Sequence, residues 1–76
     1  MNRIRRKQID ALMARIEEIK ADVEAVMEEE QEARDNIPES LQESERYEKA
    51  DEACDNLESA VDSLEEVLDY LLEATN

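Results

Sequence analysis

Two long stretches of this sequence carry apolar residues at alternating steps of three and four, and the only proline lies between them. The first stripe is Ile9, Leu12, Ile16, Ile19, Val23 and Val26. The second stripe is Tyr47, Ala50, Cys54, Leu57, Val61, Leu64, Leu68 and Leu71. A repeat of about 3.5 residues is typical of helices that pack side by side along one seam, as in a coiled coil. The chain also contains no glycine, which argues against a sheet with tight turns. The pattern predicts an all-α protein built from two long helices.

The turn between the helices is expected at residues 36–43, around the proline. Proline disfavours the helical conformation in the residue before it, so a helix ends near Ile37, while Pro38 suits the start of a new helical turn. We predict one domain over residues 1–76, with helices over residues 2–35 and 44–74. Ser40, which has capping-box spacing to Glu43, and Ser44 are both candidate caps for the second helix, and the sequence leaves the choice open.

The distribution of charge predicts that the two helices run antiparallel. A basic cluster near the N-terminus consists of Arg3, Arg5, Arg6 and Lys7. No basic residue follows Lys49, and the C-terminal end is crowded with acidic residues: Glu65, Glu66, Asp69 and Glu73. An antiparallel hairpin brings these two ends together. Each surface pair is weak, but several together favour one orientation.

The apolar stripes are wider than a contact between two helices needs, which predicts self-association. Met13 and Met27 widen the first stripe, and Val67 widens the second. The first half of the second stripe is small, at Ala50 and Cys54, and this lets a partner helix approach closely or leaves room for a large side chain. A domain of 76 residues has a marginal core on its own. We expect two antiparallel hairpins to dimerise into a four-helix bundle, although a groove on a partner protein would cover the stripes as well. The expected seam residues are Ile9, Leu12, Ile16, Ile19, Val23, Val26, Leu57, Val61, Leu64, Leu68 and Leu71.

The residue types used in catalysis are scarce. Without histidine, the usual Ser-His and Cys-His nucleophile pairs and most transition-metal sites are excluded, and without glycine there is no phosphate-cradling loop. The carboxylates are interpreted as a solvated surface rather than a metal site. We therefore expect no enzymatic activity and no cofactor. Cys54 is the only cysteine and lies on the second stripe, where a small buried side chain is expected.

The strong acidity limits the partners that are compatible with this chain. A net charge of −14 with 42% charged residues is also typical of unfolded chains, but the two regular stripes favour a folded one. Nucleic acid and anionic membranes would be repelled, whereas a basic protein surface would be attracted. Because the sequence has no apolar run of membrane-spanning length and no signal peptide, a cytoplasmic location is expected.

Residues 35–46, with the sequence DNIPESLQESER, resemble a D-N-[IL]-P-E-S-L-Q-x-S-E-R segment in small acidic proteins encoded by phages and prophages of gut bacteria. The flanks are similar too, with an early Arg/Lys run, an acidic first helix and later acidic-leucine repeats. The family pattern has glycine after Ser-Glu-Arg, where this chain has Tyr47. The resemblance implies a helical hairpin of phage origin in an infected or lysogenic bacterium. By analogy with other small acidic phage proteins, it implies a modulator of a host protein.

Three functions remain open from the sequence. The first is an interaction module whose turn region recognises a host protein, although the same segment is also explained if it only makes the turn. Its candidate partner-binding residues are Pro38, Glu39, Ser40, Leu41, Gln42, Ser44, Arg46 and Tyr70. The second is an acidic DNA mimic that inhibits a nucleic-acid-binding protein. Its candidate residues are Asp55, Glu58, Asp62, Glu65 and Asp69. The third is a structural component of an assembly.

Overall fold

The protein is a rod made of two long helices joined by a short turn. A computed structural model describes all 76 residues. Helix α1 spans Arg3–Asp35, helix α2 spans Glu45–Thr75, and a short 3-10 turn, Glu39–Leu41, lies between them. The Cα atoms extend over 59 × 15 × 12 Å. No strand is present and α1 packs along α2, so the predicted all-α hairpin is confirmed. The observed helix ends lie within one residue of the predicted ones.

Two ion pairs between the helices define their antiparallel order. Lys20 Nζ lies 3.2 Å from Glu65 Oε1, and Arg34 Nη1 lies 2.9 Å from Asp51 Oδ1. Moving forward along α1 therefore means moving backward along α2. The basic cluster at the N-terminus, which the sequence analysis expected to pair with the acidic C-terminal end, forms no ion pair in the hairpin. The interhelical pairs are made instead by basic residues further along α1.

Each helix begins at a side-chain cap. Asn2 Oδ1 accepts a hydrogen bond from the backbone N–H of Arg5 at 2.8 Å, and Ser44 Oγ accepts one from the N–H of Tyr47 at 3.3 Å. Each cap pairs one of the N–H groups that a helix start leaves without an internal partner. Ser40 lies inside the 3-10 turn, which has no side-chain cap. Ser44 is therefore the residue that caps α2.

The hydrophobic core is thin. Only four of the 76 residues are buried: Ile37, Cys54, Val61 and Leu68. The last three lie on α2 at seven-residue intervals, as expected for the centre of a heptad seam. Helix α1 contains no buried residue. The two helices therefore cover each other along one narrow line only.

Helix α1 contacts α2 along a line that is rotated from the predicted stripe. The half-buried residues on this line include Ile9, Met13, Ile16, Lys20, Val23, Met27 and Arg34. Leu12, Ile19 and Val26 of the predicted seam are 44%, 51% and 52% exposed, so they do not pack between the two helices of one hairpin, and their place in an oligomer seam stays a prediction. The rotation lets the long side chains of Lys20 and Arg34 reach carboxylates on α2. The other predicted seam residues are buried or half-buried.

Candidate interaction surfaces

The turn between the helices is closed by its own backbone hydrogen bonds. The N–H of Ile37 donates to Arg34 C=O at 3.1 Å, that of Leu41 to Pro38 C=O at 2.8 Å, and that of Ser44 to Leu41 C=O at 3.0 Å. Ile37 is 5% exposed and anchors the turn against the helices. Leu41, four residues later, remains 51% exposed. The turn thus presents an apolar side chain on a hydrogen-bonded frame.

Most of the predicted partner-binding residues share this end of the rod. The exposed ones are Pro38, Glu39, Ser40, Leu41, Gln42 and Arg46. Ser44 is half-buried, and its hydroxyl is used by the cap of α2. Tyr70 is 70% exposed but lies about 36 Å further along α2 than Arg46, at about 1.5 Å per residue. Tyr70 therefore does not belong to the same site as the turn.

A cleft of about 320 Å³ opens beside the turn. Its lining residues are Glu30, Ala33, Ile37, Arg46, Lys49 and Ala50. The cleft exists because both helices carry alanine at this level, and methyl groups do not fill the space that leucines would fill. The small side chains in the first half of the second stripe, Ala50 and Cys54, predicted this space. The charged lining by Glu30 and Lys49 was not predicted, because the two residues border the same cleft only after the chain has folded back.

The candidate carboxylates of the DNA-mimic hypothesis lie on one side of α2, and we call them the carboxylate strip. The strip consists of Asp55, Glu58, Asp62, Glu65 and Asp69. Their spacing of three and four residues keeps them on one side of a helix, and all five are exposed. Glu65 forms the ion pair with Lys20 at 3.2 Å, and this hydrogen bond raises the pKa of Lys20 above its usual value. The other four carboxylates form no ion pair.

Arg34 connects the end of α1 to the beginning of α2. Its guanidinium group contacts Asp35 at 3.1 Å and Asp51 at 2.9 Å. The hydrogen bond to Asp35 is the main cause that raises the pKa of Arg34 above its usual value, and the hydrogen bond to Asp51 adds to it. Neither Arg34 nor Lys20 was predicted from the sequence to link the helices. Their positions in the series 13, 20, 27 and 34, which repeats every seven residues beside the apolar stripe, could have indicated that they face α2.

Cys54 is buried, as predicted, and makes no disulfide. Burial raises the pKa of its thiol above the usual 9.0. A raised pKa keeps the thiol protonated at neutral pH, and the thiolate is the form that reacts. Cys54 therefore serves as a small apolar side chain in the thin core.

The hairpin contains neither a cluster of metal ligands nor a membrane-spanning helix. No group of three or more Cys, Asp or Glu side chains is arranged to hold a metal ion. Neither helix is both long enough and apolar enough to cross a membrane. Comparison with protein-family models, with curated proteins and with solved structures found no match for this chain. The features that the structure offers for function are its surfaces: the turn with its cleft, the carboxylate strip, and the exposed apolar residues of α1.

Proposed function

We propose that this chain is a non-enzymatic interaction module, encoded by a phage or prophage, that binds and modulates a host protein through its turn region. The observation that carries the proposal is the hydrogen-bonded turn, in which Leu41 is exposed while the buried Ile37 anchors the turn against the helices. The origin and the host target are supported by the resemblance of residues 35–46 to a segment of small acidic phage proteins.

A turn with a fixed backbone favours recognition because less conformational freedom is lost on binding. Pro38 restricts its own backbone, and three consecutive hydrogen bonds hold the residues after it. Leu41 then supplies an apolar anchor, and the cleft next to Ile37 of the turn accepts a side chain from the partner. Arg46, which lines the cleft, adds an exposed charge with geometry suited to a carboxylate. These features support a small and shape-specific contact.

The acidic surface supports a partner with a basic surface. The net charge of −14 is spread over a rod with only four ion pairs, so most carboxylates face solvent. Complementary charge accelerates encounter and suppresses wrong partners more than it increases affinity. We assign the charge this steering role. It also disfavours direct binding to nucleic acid or to anionic membranes.

An acidic DNA mimic is the second candidate, and the carboxylate strip is the observation that favours it. The strip carries five charges over about 21 Å of helix, or about one per 5 Å. Each DNA strand carries one charge per about 3.4 Å. Because the strip is less dense than one strand and Glu65 is already paired with Lys20, we rank mimicry below recognition by the turn.

Self-association completes the proposal. A hairpin with four buried residues has little core of its own, so we propose that the chain works as a homo-oligomer, with a dimer favoured, in the cytoplasm of the bacterial host. A purely structural role in an assembly is the third candidate. This structural role rests on the exposed apolar residues of α1 and needs no host partner.

A pull-down from a bacterial host lysate, eluted in a salt gradient and analysed by mass spectrometry, tests these three functions. Recognition through the turn predicts a partner that is retained at high salt and is lost with Leu41→Ala and Arg46→Ala. Mimicry predicts a DNA- or RNA-handling protein that elutes at modest salt and is lost when the carboxylate strip is changed to amides. Recovery of the bait alone contradicts both and favours the assembly role.

A further inference from the structure

One side of the hairpin is apolar along the middle of both helices, and we call it the apolar face. It consists of Leu12, Ile19 and Val26 on α1 and Ala53, Ala60 and Val67 on α2. Within each helix these residues repeat every seven positions and so share one side. On α1, they lie on the opposite flank of the helix contact from Glu17 and Glu24.

A groove of about 230 Å³ lies between the α1 half of this face and α2. Its lining residues are Ile19, Asp22, Val23, Val26 and Leu57. Ile19 and Val26 from α1 thus border Leu57 of α2, and Ala53 and Ala60 flank Leu57 along the helix. Asp22 is the one charge at the rim of the groove.

The opposite flank of the hairpin is acidic, which makes the apolar face a distinct feature and not a product of average composition. On α2 this flank carries Asp51, Glu58 and Glu65, again at seven-residue intervals. Lys20 and Arg34 of α1 reach Glu65 and Asp51 there. In a chain with 42% charged residues, six exposed or half-exposed positions without charge on one side indicate that this side is covered in use.

We propose that the occupant of the apolar face is a second copy of this chain, giving a two-fold symmetric four-helix bundle with both turns at the same end. The inference rests on the self-association in the proposed function and assigns it to a surface and an orientation. The contact between the two hairpins then enlarges a core that has only four buried residues in one hairpin.

The side of the rod that carries the apolar face is large enough for a stable dimer. The six apolar residues span about 21 Å of each helix, the whole side of 59 × 15 Å covers roughly 900 Å², and a standard interface buries about 800 Å² on each partner. The partner must also be a rod of similar length to cover the whole face. A second hairpin meets this requirement by construction, because its own apolar face has the same length.

Side-chain size and charge both select the orientation with the turns together. In that orientation α1 packs against the partner's α2 in the register that the Lys20–Glu65 and Arg34–Asp51 pairs define, so Ile19 lies level with Val67 of the partner subunit and the larger Val26 lies level with the small Ala60 of the partner subunit. The basic cluster at residues 3–7, which has no ion pair within the hairpin, then lies beside the partner's acidic C-terminal end. The opposite orientation would place large residues against large ones.

The molar mass in solution tests the proposal. We expect light scattering after gel filtration to give twice 8.8 kDa for the wild-type chain. The double substitution Ile19→Gln with Val26→Gln should halve that mass, whereas Leu72→Gln, at a residue that is 54% exposed outside the apolar face, should leave it unchanged. A wild-type mass of 8.8 kDa would overturn self-association, and a dimer that survives the double substitution would overturn only this face. Neither result bears on host-protein binding, which the pull-down tests separately.

Cross-linking tests the same face with substitutions that keep it apolar, so loss of folding does not obscure the result. In a Cys54→Ala background, chains carrying Ile19→Cys and chains carrying Val67→Cys, which lie at the same level of the rod, are mixed and oxidised. We expect disulfide-linked pairs of the two different chains. Cross-linking of Ile19→Cys chains to each other would overturn the orientation, because Ile19 is the middle residue of α1 and meets its own copy only when the hairpins run in opposite directions. No cross-link at all would overturn the proposal.

Discussion

Arg34, in the last turn of α1, donates a hydrogen bond to Asp51, in the second turn of α2, at 2.9 Å. The same guanidinium group holds Asp35 at 3.1 Å, so one side chain joins the two helix ends on either side of the turn. The contact closes the hairpin next to the segment that we assign to partner recognition. It also replaces the predicted pairing of the basic N-terminal cluster as a source of antiparallel order.

Removing the charge of Asp51 should destabilise the hairpin. Asp51→Asn removes the negative charge that Arg34 pairs with across the seam, and we expect the Tm to fall by a few degrees. Asp55→Asn removes the same charge one turn later, where no ion pair exists, and should leave the Tm unchanged or slightly raised because it relieves repulsion in a chain of net charge −14. Thermal unfolding followed by circular dichroism at low salt measures both. Equal effects from the two substitutions would show that the Arg34–Asp51 contact contributes nothing.

Truncation of a buried leucine should be far more costly than truncation of its exposed neighbour. Leu68 is 7% exposed and Leu72 is 54% exposed. We expect Leu68→Ala to lower the free energy of unfolding by about 2–4 kcal/mol, and Leu72→Ala to change it by less than about 0.5 kcal/mol. Urea titration of both variants measures the difference. Similar losses would mean that the helices do not meet along the line through Cys54, Val61 and Leu68.

The two candidate cap serines should respond differently to alanine. Ser44→Ala removes the hydroxyl that accepts from the N–H of Tyr47, and we expect a loss of about 1 kcal/mol in the free energy of unfolding. Ser40→Ala removes a hydroxyl that caps nothing, so little change is expected. The same urea titration applies. A larger loss for Ser40→Ala would place the start of α2 earlier than Ser44.

Alkaline pH should destabilise the hairpin. Burial raises the pKa of Cys54 above 9.0, and the hydrogen bond to Glu65 raises that of Lys20 above 10.5. Both groups hold protons more tightly in the folded state. The stability that each contributes is therefore complete below its unfolded pKa and is lost as the pH rises through its folded pKa. We expect the free energy of unfolding to fall in this range, first through Cys54 and then through Lys20.

Cys54→Ala is the control for the alkaline transition. The substitution lowers stability at every pH because it leaves a small cavity, but it should also abolish the part of the decline that begins near 9.0. The later decline, which belongs to Lys20, should remain. Chemical unfolding at a series of pH values provides the comparison. A stability that stays flat or rises above the usual pKa of the thiol would contradict the assignment.

The fold followed from the sequence because its main signals are local. The spacing of the apolar residues, the single proline and the absence of glycine define two helices and a turn. The residues of the α2 seam were also predicted correctly. The rotation of α1 was not predicted, because Leu12 and Met13 are both apolar and periodicity alone does not choose between them. The choice depends on Lys20 and Arg34 reaching carboxylates that are distant in sequence. For the same reason, the charged cleft lined by Glu30 and Lys49 became visible only in the folded chain.

The most direct test of the central claim, that the turn region binds the partner, is hydrogen–deuterium exchange on the hairpin with and without the protein recovered in the pull-down. We expect the partner to slow amide exchange at residues 38–46, around the exposed Leu41, and to leave residues 55–69 unchanged. Protection confined to residues 55–69, the carboxylate strip, would contradict recognition through the turn and would support mimicry instead.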